Sequence, residues 1–337
     1  MQSSSMWVDP GDGQGRQRMT APPDLTATTP TTTRRRRAYW QTALTVGVLV
    51  AVACLVRRHW PVLATGAGRL AVADQGWLMV AATAALGTWV CSALAQQGAV
   101  PQRLPGRRLV AAQLAASAAN HVLPAGLGAG AVNLRFLMRC GLPVGRSASA
   151  LAVKATAGVV VRVVLIGVLA SVCPGVLRVP HISVGVLGVV LAVVVLVAVL
   201  LNCPLWPRCR RALAAVLTDI RAVHARPHRA AALWGGSLAF AALHSLVLIC
   251  VTQAVELPLS PARVALLYLA ASSAAALLPT PGGIGSLDAA LVFALTASGT
   301  TAVAAASVVL GYRLLTMWLP LIPGLLVLGV LVRRRDL

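Results

Sequence analysis

Leu277-Leu278-Pro279-Thr280-Pro281-Gly282-Gly283-Ile284-Gly285-Ser286-Leu287-Asp288 interrupts an apolar stretch with two prolines and three glycines, and it ends on a carboxylate. Proline removes a backbone donor and clashes with the preceding turn, while glycine takes backbone angles other residues avoid. No continuous helix runs through such a segment. At membrane depth, unpaired backbone is tolerated only where protein buries it or where it lines a wet cavity. The break therefore marks a site, and the rest of the chain is read around it.

Long runs on either side place the break in a membrane. Residues 183–201 and 230–252 are apolar and long enough, at about 1.5 Å per residue, to cross a bilayer core of roughly 30 Å. The formal charge of +21 does not indicate nucleic acid. Apart from the N-terminal tail, nearly all the basic residues sit in short loops between apolar runs, where they orient a membrane protein. The seven cysteines lie mostly within or beside apolar spans and form no CxxC pair or zinc pattern, which reads as small packing residues.

Taken in order, residues 1–33 form a disordered cytoplasmic tail, rich in Thr, Pro, Gly and Asp and without the apolar core of a signal peptide. Residues 34–337 form one transmembrane domain. Full spans are expected at 38–56, 76–95, 148–172, 183–201, 230–252 and 301–332, the last kinked at Pro320 and Pro323. A second broken segment runs over 109–123, breaks at Pro124-Ala125-Gly126-Leu127-Gly128-Ala129-Gly130, and resumes over 131–140. That last piece is too short to cross, so a re-entrant hairpin is expected. The opening break lies in a similar hairpin between 263–278 and 287–298. Residues 202–229 carry six arginines and read as an amphipathic loop on the inner surface. With both broken segments re-entrant, Arg34–Arg37, this loop and Arg333–Arg335 all fall on the cytoplasmic side, as do both termini. The expected fold is all-α and polytopic, with about six full spans plus two re-entrant broken hairpins.

The hairpins are related. Ala115-Ala116-Ser117 and Pro124 each stand 155 residues before Ala270-Ala271-Ser272 and Pro279, and the same offset pairs Gly128 with Gly283, Gly130 with Gly285, and Asn133 with Asp288. An inverted repeat is predicted, its halves at about 38–201 and 230–332, with broken helices meeting near the midplane. Helix breaks are assigned to Pro124, Gly126, Gly128, Gly130, Pro279, Pro281, Gly282, Gly283 and Gly285.

Intramembrane polar residues are the site candidates. Arg135, Lys154, Arg162, Arg313 and Asp288 are chosen as head-group ligands, with basic groups outnumbering the acid four to one. Lys154 is the chain's only lysine. That surplus points to an external anion such as a lipid phosphate, which suits arginine's planar fork. Helix N-termini following Gly130 and Gly285 would add positive dipole ends. An ion pair of Asp288 with Arg313 or Arg162 that only fixes packing is the alternative. His121 and His244 read as hydrogen-bonded core residues. No metal site, cofactor, Walker sequence or catalytic pair is legible, so no enzyme is expected.

The residues from Pro279 to Asp288, with Gly311-Tyr312-Arg313 and Trp318-Leu319-Pro320, resemble the membrane region of lysylphosphatidylglycerol synthase/flippase proteins. Asn120-His121-Val122-Leu123-Pro124, Gly126, Gly128 and Arg135 resemble that family's first block. The likeness covers residues 34–335. It departs in carrying Asp288 where the family usually has Glu, and in lacking a Glu-Arg pair around Lys154. The resemblance implies the lipid-handling half of such proteins, with no aminoacyl-transferase domain in this chain. It points to a plasma-membrane flippase for an anionic or aminoacylated lipid, an anionic phospholipid or polyprenyl-phosphate being the partner. A secondary transporter, or a non-transporting partner of a lipid-modifying transferase, are the alternative functions.

Overall fold

The computed structural model describes residues 72–122, 127–173, 218, 220–276 and 285–333, with Arg57 and Gly68 besides. All of these fall in one compact unit, Val56–Leu337. The spans expected at 38–56 and 183–201, and most of the loop 202–229, lie outside the described residues. So do the breaks Pro124, Gly126, Pro279, Pro281, Gly282 and Gly283.

The described elements are all helical. They are α1 (Gln75–Ala99), α2 (Gly106–Val122), α3 (Leu127–Arg139), α4 (Val144–Val172), α5 (Pro227–Ala254), α6 (Pro261–Ala276), α7 (Ser286–Ala297), α8 (Ala302–Arg313) and α9 (Leu319–Arg333). A π-helical turn, Leu314–Trp318, joins α8 to α9 without a break in the helix. Four stretches are long and apolar enough to cross a membrane: α1, α4, α5 and the continuous Ala302–Leu331. Valine is a modest helix former in water, yet α4 is rich in it. At membrane depth only internal hydrogen bonding satisfies the backbone, so a helix forms regardless. Val159, Val163, Val164 and Val168 then face outward, more than half exposed, as lipid-facing side chains do.

α2 and α3 contain 17 and 13 residues and rise only about 26 and 20 Å, short of a bilayer core of roughly 30 Å. They run antiparallel: Gln113 Nε2 donates to Asn133 Oδ1 (2.7 Å), and Gln102 Nε2 donates to the Cys140 carbonyl (2.8 Å). Entry and exit of this hairpin therefore meet on one side, as a re-entrant segment requires. Gly128 explains how tightly it closes. A Cβ there would stand 2.1 Å from the Ala119 carbonyl oxygen. Both Gly128 and Gly130 were expected in the break, but the helix resumes at Leu127 and includes them. The dipole end expected after Gly130 is thus moved back to Leu127. α6 and α7, with 16 and 12 residues, are similarly too short to span.

The 155-residue offset reaches beyond the hairpins. It carries the last residue of α1, Ala99, onto that of α5, Ala254, and the first residue of α2, Gly106, onto that of α6, Pro261. Shifted likewise, α4 overlies Ala302–Leu331. Equivalent helices α1 and α5 form the most extensive interface among the described elements, and they run antiparallel. Gly98 approaches the Leu233 backbone, Gly236 approaches Ala95, Gly87 approaches Leu243, and Asp74 N–H donates to the Ala254 carbonyl (3.2 Å). Antiparallel packing of equivalent elements is the signature of an inverted repeat. Small residues make the seam possible, since only they let membrane helices come this close.

Two expectations are corrected here. The arginine-rich loop does not extend to residue 229: α5 starts at Pro227, whose missing N–H costs nothing at a helix start, and Arg229 is buried in its first turn. The last span contains Pro320 and Pro323, which deprive the Thr316 and Leu319 carbonyls of their usual donors. The chain accommodates this with the π-turn that ends at Trp318.

Candidate functional site at the middle of the spans

A cavity of about 600 Å³ opens between two apolar clusters. One cluster surrounds α6, α7 and α8; the other surrounds α2, α3 and the first half of α4. Its wall comes from the middle of every long helix. Thr88, Trp89 and Ser92 lie near the centre of α1, Phe240 and His244 near that of α5, and Arg313, Thr316 and Pro320 near that of Ala302–Leu331. Lys154 and Arg162 stand four residues either side of Gly158, the centre of α4. Along the helix they are about 12 Å apart, one on each side of the midpoint. Charge costs most at this depth, so charged groups here need a partner.

In the first half, four helices supply one hydrogen-bonded cluster. Lys154 Nζ donates to Ser92 Oγ (2.9 Å) and to Gln113 Oε1 (3.0 Å), and Ser92 Oγ also donates to Gln113 Oε1 (2.8 Å). Gln113 passes its own N–H to Asn133, which donates to the Ala129 carbonyl (2.9 Å). Gln113 is thus the hub that ties α1, α2, α3 and α4 together. Every partner of Lys154 in the cluster is neutral. At the tip of α2, Asn120 Oδ1 and His121 Nδ1 are buried without a hydrogen bond, and both residues line the cavity.

The second half is arranged around Arg313, which is buried. Its Nε donates to Asp288 Oδ1 (2.5 Å). Asp288 Oδ2 accepts the Gly285 N–H (3.0 Å). Gly285 is the N-cap of α7 with φ +86°, a conformation glycine takes without strain. Asp288, three residues on, supplies the returning half of a capping box at the positive end of the helix dipole. Of the two pairings open to Asp288, the one with Arg313 forms. Beside it Tyr312 Oη donates to Tyr268 Oη (3.0 Å), joining α8 to α6, and Thr316 Oγ1 donates back to the Tyr312 carbonyl (2.7 Å). The π-turn begins one residue after Arg313, and Leu315 and Thr316 from it face the cavity.

These features match a known family over most of the chain. The family described as the lysylphosphatidylglycerol synthase TM region covers residues 40–324. The chain belongs to this family. It is a multi-pass membrane protein of the lysylphosphatidylglycerol synthase TM family, and a comparison with curated proteins finds no match.

Of the residues singled out from the sequence, Lys154, Arg162 and Arg313 line the cavity, with Asp288 behind Arg313. Arg135 does not join them. It is exposed on α3, two residues past Asn133, because at 100° per residue the two side chains point to different faces. His244 is held as expected, with Nδ1 against the Phe240 carbonyl (3.0 Å), but it also faces the cavity, as does His121. Ser92 and Gln113 were missed. Gln113 stands eleven residues before Pro124 in an Ala-rich helix, and its polarity at the middle of an apolar hairpin was the available signal.

Proposed function

We propose that this member of the lysylphosphatidylglycerol synthase TM family is a lipid flippase of the plasma membrane, with both termini cytoplasmic. Its mid-depth cavity holds the phosphate-bearing head group of an anionic or aminoacylated lipid on its way between leaflets. One observation carries the reading. Among the described residues the cavity wall bears three cations, Lys154, Arg162 and Arg313, and no carboxylate; the nearby Asp288 compensates only Arg313. Uncompensated charge at that depth is expensive, and a phosphate supplies the missing anion. The lipid's chains stay in hydrocarbon while its head occupies the cavity, so the barrier to crossing falls with no bond made or broken. The inverted arrangement of α1 and α5 supports alternating exposure to the two sides.

Reconstitution into liposomes with fluorescent phosphatidylglycerol tests this reading. Lipid should equilibrate between leaflets faster than in protein-free vesicles. Arg313→Ala and Arg162→Ala should each slow it about tenfold or more, the worth of one lost charge-assisted contact. Unchanged transport in both variants would remove the site from the mechanism.

A further inference from the structure

We infer that the head group this cavity selects is an anionic phosphodiester carrying neutral hydroxyls, and that aminoacylated, cationic heads are disfavoured. The inference rests on the reading of the cavity as a lipid head-group site and narrows its substrate.

Charge balance excludes an ammonium group first. Asp288 is the only carboxylate next to the site among the described residues, and both its oxygens are engaged, Oδ1 by Arg313 and Oδ2 by the Gly285 N–H. The other two described carboxylates lie far from mid-depth: Asp74 caps α1 at its start, and Glu256 follows the end of α5. An aminoacyl head would bring its ammonium groups among Lys154, Arg162 and Arg313 with no described acceptor carrying a charge. Like charges in a low-dielectric site repel strongly.

Hydrogen bonding then selects for hydroxyls. Lys154 has three N–H groups, and two of them are donated to Ser92 and Gln113, leaving one for a phosphate oxygen. Beyond it the wall offers neutral groups: Ser117, Asn120, His121 and Ser272. The Asn120 and His121 atoms buried without a partner are acceptors in need of a donor. A bare phosphate monoester brings almost none, whereas a glycerol, inositol or sugar head brings several without adding positive charge.

The test uses the purified full chain in detergent, incubated with an equimolar mixture of phosphatidylglycerol, lysylphosphatidylglycerol, phosphatidic acid and phosphatidylcholine. Retained lipids are then read by native mass spectrometry. Phosphatidylglycerol should exceed both lysylphosphatidylglycerol and phosphatidic acid, by about tenfold for each charge-assisted contact that the competitors lose. Lysylphosphatidylglycerol retained as well as or better than phosphatidylglycerol would overturn the inference and leave the lipid site standing. Phosphatidic acid retained equally would overturn the hydroxyl half of it. Retention of none above phosphatidylcholine would sink the inference and the lipid-site reading together. Gln113→Glu keeps shape while placing a carboxylate beside Lys154 Nζ, and should shift the ratio toward lysylphosphatidylglycerol; an unmoved ratio counts against the inference. Asn120→Ala, at the hairpin tip, should raise phosphatidic acid relative to phosphatidylglycerol, and no change there counts against the hydroxyl contacts.

Discussion

Asp288 shows how one side chain can serve local structure and the site together. It returns to the Gly285 N–H at the start of α7 and holds Arg313 at the cavity wall. Removing it therefore has two effects. Asp288→Ala should destabilise the protein by about 2–3 kcal/mol, less than the ~3–5 of a fully buried pair because the Asp288 side chain is 32% exposed. Thermal unfolding in detergent measures this, and Asp288→Asn should recover part of the loss through the cap alone. Tyr312→Phe makes a second expectation. It leaves the buried Tyr268 hydroxyl without its donor and should cost about 1–3 kcal/mol in the same assay. Asp288, Arg313, Lys154 and Arg162 were legible as site residues because charge in apolar sequence is costly and so conspicuous. Gln113 and Ser92 were not, since a neutral polar side chain among alanines carries no such cost until its neighbours are known.

Among the elements, the first hairpin depends on one close approach. Any side chain at Gly128 collides with the Ala119 backbone, which cannot retreat without opening α2 from α3. Gly128→Ala should thus separate the hairpin and cost more than the ~1–3 kcal/mol typical of overpacking. Gly130, two residues on, has nothing within 4 Å of its would-be Cβ. Gly130→Ala should be neutral or stabilise by about 0.5–1 kcal/mol, as alanine does in a helix. Equal effects of the two substitutions on melting temperature would contradict the packing described. Both glycines looked alike in the sequence, where each read as part of a break. Only the partner helix separates a glycine that must be there from one that need not.

For the whole molecule, the central feature is the antiparallel seam of α1 and α5. In a background with the native cysteines replaced, Gly87→Cys with Leu243→Cys should cross-link through a short thiol reagent, and Gly87→Cys with Leu233→Cys should not. The reverse outcome would mean parallel helices and end the inverted-repeat description. The sequence alone determined that this chain is an all-α membrane protein with two broken, repeated segments. Apolar length, arginine placement and the spacing of Pro and Gly are local quantities that the order of residues contains in full. What only the tertiary structure decided is which polar groups share a cavity. α1 was an unremarkable span until its packing against α5 set Ser92 beside Lys154, and Arg135 fell away from the site by a helical rotation. Such meetings depend on how helices hundreds of residues apart rotate and dock, and small-residue packing along their seams sets that.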